Sequence, residues 1–221
     1  MIQPILYLIF MLMVIVFFLV RAKMLEKNWQ VYIFKPAATL LVIAVVLLSF
    51  LKPDYNTFYS VGILIGLILS LGGDISLMFQ ENRKAFALGL GLFLLTHIAY
   101  SVVFIRLGRF SARDLISFAI LSIAGWGFYT LLKSNLGKLK LPVIIYIVVI
   151  SLMVNRAVST LFNSSSFNTE QTVMISLGAG LFYISDVILA ANRFWKPWKY
   201  HHISLIFYYT GQFFIALAAS Y

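Results

Sequence analysis

The chain has 221 residues, 62 % of them hydrophobic and 11 % charged, and its net charge is +10 from 17 Lys and Arg against 7 Asp and Glu. Soluble domains run nearer ~45–50 % apolar and ~25 % charged, so a soluble globular domain and a disordered chain are both excluded; most of the solvent is lipid. There is no cysteine, which excludes disulfides, thiol catalysis and thiolate metal sites.

A bilayer-spanning helix needs ~20 mostly apolar residues. In chain order the candidates are 4–20, 36–51, 58–79, 85–105, 115–132, 143–162, 172–190 and 203–220. The second run is short, and an earlier start near Val31 would lengthen it. Continuous apolar runs exclude a transmembrane β-barrel, whose strands alternate. The expected fold is all-α: a polytopic membrane protein, a bundle of eight transmembrane helices in a single domain over 1–221. The first run does not read as a signal peptide, because residues 1–3 carry no basic side chain and the basic residues follow the run.

The connections fix an orientation. Twelve Lys and Arg fall on one side of the membrane and four on the other (Lys52, Arg106, Arg109 and Arg113), with Arg156 inside a span. The positive-inside rule puts the side with twelve in the cytoplasm and both termini outside. The basic residues punctuate apolar stretches and carry no aromatic stacking platform on a soluble element, so no nucleic-acid partner is expected.

A faint repeat relates the halves. Asp74 stands near the end of the third run and Asp186 near the end of the seventh, each followed by an Asn-Arg pair. The step from Asp74 to His97 is 23 residues, as is that from Asp186 to Tyr209; Asp74 to Tyr100 and Asp186 to Gln212 are both 26. Two parallel four-helix repeats would give this pattern, and so would a chance alignment of similar apolar helices.

Ionisable groups at membrane depth cost ~2.5–3.5 kcal/mol or more and are by default functional or paired. They are Asp74, Asp186, His97 and Arg156 here, with Asn155 and Gln212 as uncharged companions. At ~1.5 Å per residue both aspartates lie ~6–8 Å inside the same boundary, with His97, Tyr100, Tyr209 and Gln212 deeper. Small residues precede each acid, Gly72-Gly73 before Asp74 and Gly178-Ala179-Gly180 before Ser185-Asp186, leaving room for close helix packing or for a ligand. Two carboxylates in a low-dielectric pocket titrate apart, one protonated as a general acid and the other ionised. The structural alternative pairs each acid with Lys35, Arg156 or a tyrosine hydroxyl. His97, His201, His202 and an Asp could together hold zinc, although no ligand spacing supports it. Lys35-Pro36 reads as the start of the second helix at the surface, with Lys35 either snorkelling or facing a lipid phosphate. Trp195 and Trp198 read as an aromatic belt. Asn163-Ser164-Ser165 matches a glycosylation acceptor.

Lys35-Pro36, Gly73-Asp74, the run Thr96-His97-Ile98-Ala99-Tyr100, the stretch from Gly178 through Phe182 to Ser185-Asp186, and Tyr209 with Gln212 occur here in order. Together they resemble the YhhN-like integral membrane protein family, which includes lysoplasmalogenases, over nearly the whole chain. The resemblance implies eight helices, a lysophospholipid substrate within membrane lipid, and hydrolysis of its vinyl ether bond to a fatty aldehyde and a glycerophospho-choline or -ethanolamine. It implies Asp74 and Asp186 as catalytic acids. The chemistry asks for no metal and no organic cofactor, because protonating the vinyl β-carbon is enough to start it. The expected binding residues are Lys35 at the phosphate and His97, Tyr100, Tyr209 and Gln212 at the glycerol and water, with Asn155, Arg156 and Ser185 completing the set. The competing readings are a proton-coupled transporter, a zinc-dependent lipid hydrolase and a scaffold. A bacterial inner membrane is expected over an endoplasmic reticulum.

Overall fold

A computed structural model describes residues 2–162 and 167–221, so the triplet at 163–165 lies outside the described residues. The helices are α1 (Ile2–Met24), α2 (Asn28–Ser49), α3 (Thr57–Met78), α4 (Arg83–Leu107), α5 (Asp114–Leu132), α6 (Lys140–Ser159), α7 (Thr169–Phe194) and α8 (Ile203–Leu217). Each belongs to a segment long and apolar enough to cross a membrane, and the chain is an integral membrane protein. Among the described residues there is no strand. Large apolar side chains such as Phe17, Ile123 and Trp126 point outward, as a lipid solvent permits.

Asparagines start three of the helices. Asn56 accepts the Tyr59 amide at α3, Asn82 those of Lys84 and Ala85 at α4, and Asn168 forms a reciprocal capping box with Gln171 at α7. Several boundaries differ from the apolar runs, those of α2 and α7 among them. Helix α2 starts at Asn28, so Pro36 sits two turns inside it, where its missing N–H leaves the Tyr32 carbonyl without a helical donor. Lys35 is therefore buried and not at the surface. Helix α7 continues to Phe194, one turn past the apolar run, because its last turn is polar and outside the hydrophobic stretch.

Neighbours in sequence pack antiparallel except α4 and α5, which are not packed together; α4 lies against α6 instead. Buried side chains from every helix except α5 build the main core, and α5 is the least buried. Glycine sets the closest approaches. A Cβ on Gly178 would stand 2.7 Å from the Gly211 carbonyl oxygen, so α7 and α8 meet backbone to backbone. On Gly66 it would strike the Tyr100 ring, so α3 and α4 seat an aromatic against a missing side chain. One cross-contact repeats between the halves: α2 crosses to α8 as α6 crosses to α4, each pair running parallel. That repeated contact is one that two parallel four-helix units produce. The Asn-Arg pairs do not share a role, however: Asn82 caps α4, while Asn192 lies in the last turn of α7 and accepts the Trp198 amide.

Candidate active site

Both aspartates line one cavity of about 450 Å³, together with Lys23, Lys35, Tyr146 and Tyr208. Gln80, Arg193, Pro197, His201 and His202 surround its mouth, so it opens at the end of the bundle that carries the twelve basic residues.

Asp74, on α3, is 1 % exposed, and every polar group around it donates. Lys35 Nζ stands 3.1 Å from Oδ1, the Thr39 hydroxyl donates to Oδ2 at 2.6 Å, and the Tyr208 hydroxyl donates to Oδ2 at 2.8 Å. Thr39 follows Lys35 by one helical turn, so both reach the same carboxylate from one face of α2. Behind Tyr208 runs a directed chain. Tyr100 donates to Gln212 Oε1 at 2.6 Å, and the Gln212 amide donates to Ser70 Oγ at 2.7 Å. Ser70 then has its own proton to give Tyr208, 2.6 Å away, and Tyr208 gives its proton to Asp74. The chain has a single polarity and ends on an acceptor. Asp74 is a carboxylate in an ion pair.

Asp186, on α7, has different company. The Tyr146 hydroxyl donates to its Oδ2 at 2.6 Å, and His97 Nε2 lies 3.2 Å from the same oxygen and 3.0 Å from the Tyr146 oxygen. With the Tyr146 proton committed to Asp186, Nε2–H of His97 is the shared donor, and buried Nδ1 has no partner among the described residues. Both contacts use Oδ2, which leaves Oδ1 able to carry a proton. The Asp186 side chain is 15 % exposed against 1 % for Asp74, and no Lys or Arg pairs with it among the described residues. Rings bridge the two acids: Tyr208 meets Phe182 at 5.2 Å between centroids, and Phe182 meets His97 at 4.7 Å.

The expected residues thus divide. Lys35 and Ser185 line the cavity with the acids. His97, Tyr100 and Gln212 stand behind it and tie to Asp186 or Asp74, and Tyr209 donates to the Lys35 carbonyl at 2.9 Å. Asn155 and Arg156 are elsewhere. Arg156 Nη1 pairs with Asp114 Oδ2 at 3.1 Å, and Asn155 donates to the Asp114 carbonyl at 2.9 Å, tying α6 to the start of α5 near the opposite end of the bundle. His97 belongs to the Asp186 cluster and is separated from His201 and His202. No three His or acidic residues converge as a metal set among the described residues.

Thr39, Ser70, Tyr146, Tyr208 and Asp114 were not singled out in the sequence. The i+4 spacing from Lys35 could have found Thr39; Tyr146 sits in an apolar run with no signal of its own. At the mouth, the His201 and His202 rings lie 3.9 Å apart, and the nearby Lys23 ammonium joins them. Partial burial, then the neighbouring positive charges, push His202 down to about 4.

A model of the YhhN family matches residues 30–219. The lysoplasmalogenase TMEM86A of Bos taurus is 30 % identical over 159 residues, covering 71 % of this chain and 64 % of that protein. The human lysoplasmalogenase TMEM86A is 30 % identical over 158 residues with the same coverage. A lysoplasmalogenase of Mycobacterium bovis is 31 % identical over 133 residues, 58 % of this chain and 48 % of its own length. The chain therefore spans between about half and two thirds of the curated relatives it matches. No solved structure matches. With the family pattern running through 190 of its residues, from 30 to 219, the chain belongs to the YhhN family.

Proposed function

We propose that this protein hydrolyses the vinyl ether bond of a lysoplasmalogen, releasing a fatty aldehyde and a glycerophospho-choline or -ethanolamine. One observation carries the reading: a single cavity holds two carboxylates with opposite surroundings, one paired with an ammonium and one held by a tyrosine and a histidine. Such a division of environments separates a fixed charge from a proton donor. The relatives named lysoplasmalogenase supply the substrate class.

In this reading Asp186, protonated at Oδ1, gives its proton to the β-carbon of the vinyl ether, and the double-bond electrons form the new C–H bond. The α-carbon and ether oxygen then share a positive charge. Asp74 faces that charge as the fixed carboxylate, held by Lys35, Thr39 and Tyr208. Water adds to the α-carbon and returns a proton to the Asp186 carboxylate. The hemiacetal collapses to aldehyde and glycerol hydroxyl, so protons balance over the cycle. Tyr146 and His97 hold Oδ2 so that Oδ1 faces the cavity. The glycerophosphate lies towards the mouth and the alkenyl chain runs into the apolar lining of Phe93, Val143, Ile147 and Ile150.

The transporter reading finds less support. At the opposite end of the bundle Ser49 meets Ser60 at 3.0 Å and the Tyr59 hydroxyl donates to the Ile215 carbonyl at 2.7 Å; neither pair lines the cavity. By the positive-inside rule the mouth faces the cytoplasm, and both ends of the chain face the other side. The test is aldehyde release by purified protein in detergent. Lysoplasmenyl-ethanolamine should give aldehyde and its saturated ether analogue none. A folded sample that turns over neither between pH 5 and 8 overturns the proposal.

A further inference from the structure

The cavity mouth carries positive charge that no carboxylate among the described residues neutralises. Lys23, in the last turn of α1, is half-buried in the lining. Its electrostatic neighbours include Lys35 and His202, both cationic or cation-forming groups. Lys35 is already committed to Asp74. Arg193, from α7, stacks over the Phe86 ring at 4.2 Å and also lines the cavity. Among the described residues no carboxylate comes within ion-pairing distance of Lys23 or Arg193. Like charges gathered on a low-dielectric rim repel, and desolvation adds to the cost. A bound anion removes both costs.

We infer that Lys23, His202 and Arg193 form a phosphate subsite at the cavity mouth, which takes the phosphodiester of a lysophospholipid headgroup. This rests on the lysolipid reading above and moves the phosphate contact from Lys35, whose ammonium serves Asp74, to Lys23. The geometry suits it: the reacting acids stand inside the cavity and the cations at its entrance, as a glycerophosphate with a short polar body and a long chain requires. The imidazole of His202, kept neutral first by partial burial and then by its cationic neighbours, offers an N–H donor without adding a full charge.

The test uses ligands that are not hydrolysed, so it is read independently of turnover. Binding of 1-O-hexadecyl-glycerophosphoethanolamine and of phosphate-free 1-O-hexadecylglycerol to the full chain in detergent is followed by intrinsic tryptophan fluorescence. Lys23→Gln should weaken the phosphate-bearing lipid about tenfold, the loss of one charge-assisted contact, and leave the phosphate-free lipid within twofold. Lys23→Arg should retain affinity within about threefold. Lys138→Gln, an exposed charge on the same face, controls for bulk electrostatics and should change neither. Should Lys23→Gln not fold, Arg193→Gln gives the same comparison. Inorganic phosphate as ~50 mM competitor in the same titration tells a free anion from a lipid-borne one: competition in the wild type but not in Lys23→Gln marks a site for phosphate itself, and no competition marks one that needs the lipid. Equal losses for both lipids, or no loss for either, overturn the subsite. Failure of vinyl ether turnover with this binding pattern intact would overturn the reaction and leave the subsite standing.

Discussion

Among the described residues Lys35 and Asp74 form the one ion pair with both partners lining the cavity, and its worth is best judged by breaking it. Removing one partner of a buried pair costs ~3–5 kcal/mol because the other charge is left without compensation, whereas removing both is often nearly neutral. Lys35→Met should therefore lower the melting temperature in detergent clearly, and Lys35→Met with Asp74→Asn should recover most of the loss. Equal melting of the single variant and the wild type would show that the pair is solvated. The Asp74 partners illustrate what residue-level reading could reach. Both acids, His97 and Gln212 stood out because polar groups in apolar runs are rare, and Tyr100 through its spacing from Asp74. Tyr146 and Tyr208 did not, since a tyrosine in such a run looks like any aromatic until a carboxylate is placed against its hydroxyl. Asn155 and Arg156 stood out for the same reason as the acids, yet serve Asp114, which was read as part of a connection. His202 gives a pH prediction. Its value near 4 lies below the ordinary ~6.5 of histidine, so the unfolded chain binds the proton first. Stability tied to this group is present above ~6.5 and is lost as the pH falls towards 4. Melting temperature should fall over that interval, and less steeply in His202→Gln; parallel profiles would contradict the assignment.

Between helices, the tightest contact is where the sequence has no side chain to offer. Gly178 and Gly211 bring α7 and α8 together, and α7 carries Asp186 while α8 carries Tyr208. Gly178→Val puts a branched side chain against the Gly211 carbonyl, and overpacking of this kind costs ~1–3 kcal/mol. The variant should melt lower and lose activity together, because separating the helices moves Tyr208 away from Asp74. Full activity with unchanged melting would mean that the contact is not tight. The apolar runs located all eight helices, and the errors have one origin. Hydropathy marks where lipid contacts a helix, not where its hydrogen bonds stop. Thus α2 extends back through Lys35 to Asn28, and α7 runs on through its polar last turn, with Asp186 eight residues before the end and Asp74 four residues before the end of α3.

For the whole molecule, the arrangement is an eight-helix bundle whose halves repeat one cross-contact and whose polar interior opens at one end. The expected depth of the acids, near a common face, agrees with a cavity entered from the basic end. The exchange between halves could not be read from spacing. His97 of the first half serves Asp186 of the second, and Tyr208 of the second serves Asp74 of the first. Each carboxylate is thus completed by the other half, so neither half alone assembles the site. Central to the proposed reaction is that the two acids act on a vinyl ether within this one cavity. The most direct measurement is the rate of aldehyde release from lysoplasmenyl-ethanolamine by the wild type, Asp186→Asn and Asp74→Asn at equal amounts of folded protein. Loss of an acid–base group removes ~10²–10⁴-fold in rate, and both variants should fall by at least ~10²-fold. Wild-type rates in both would contradict the account.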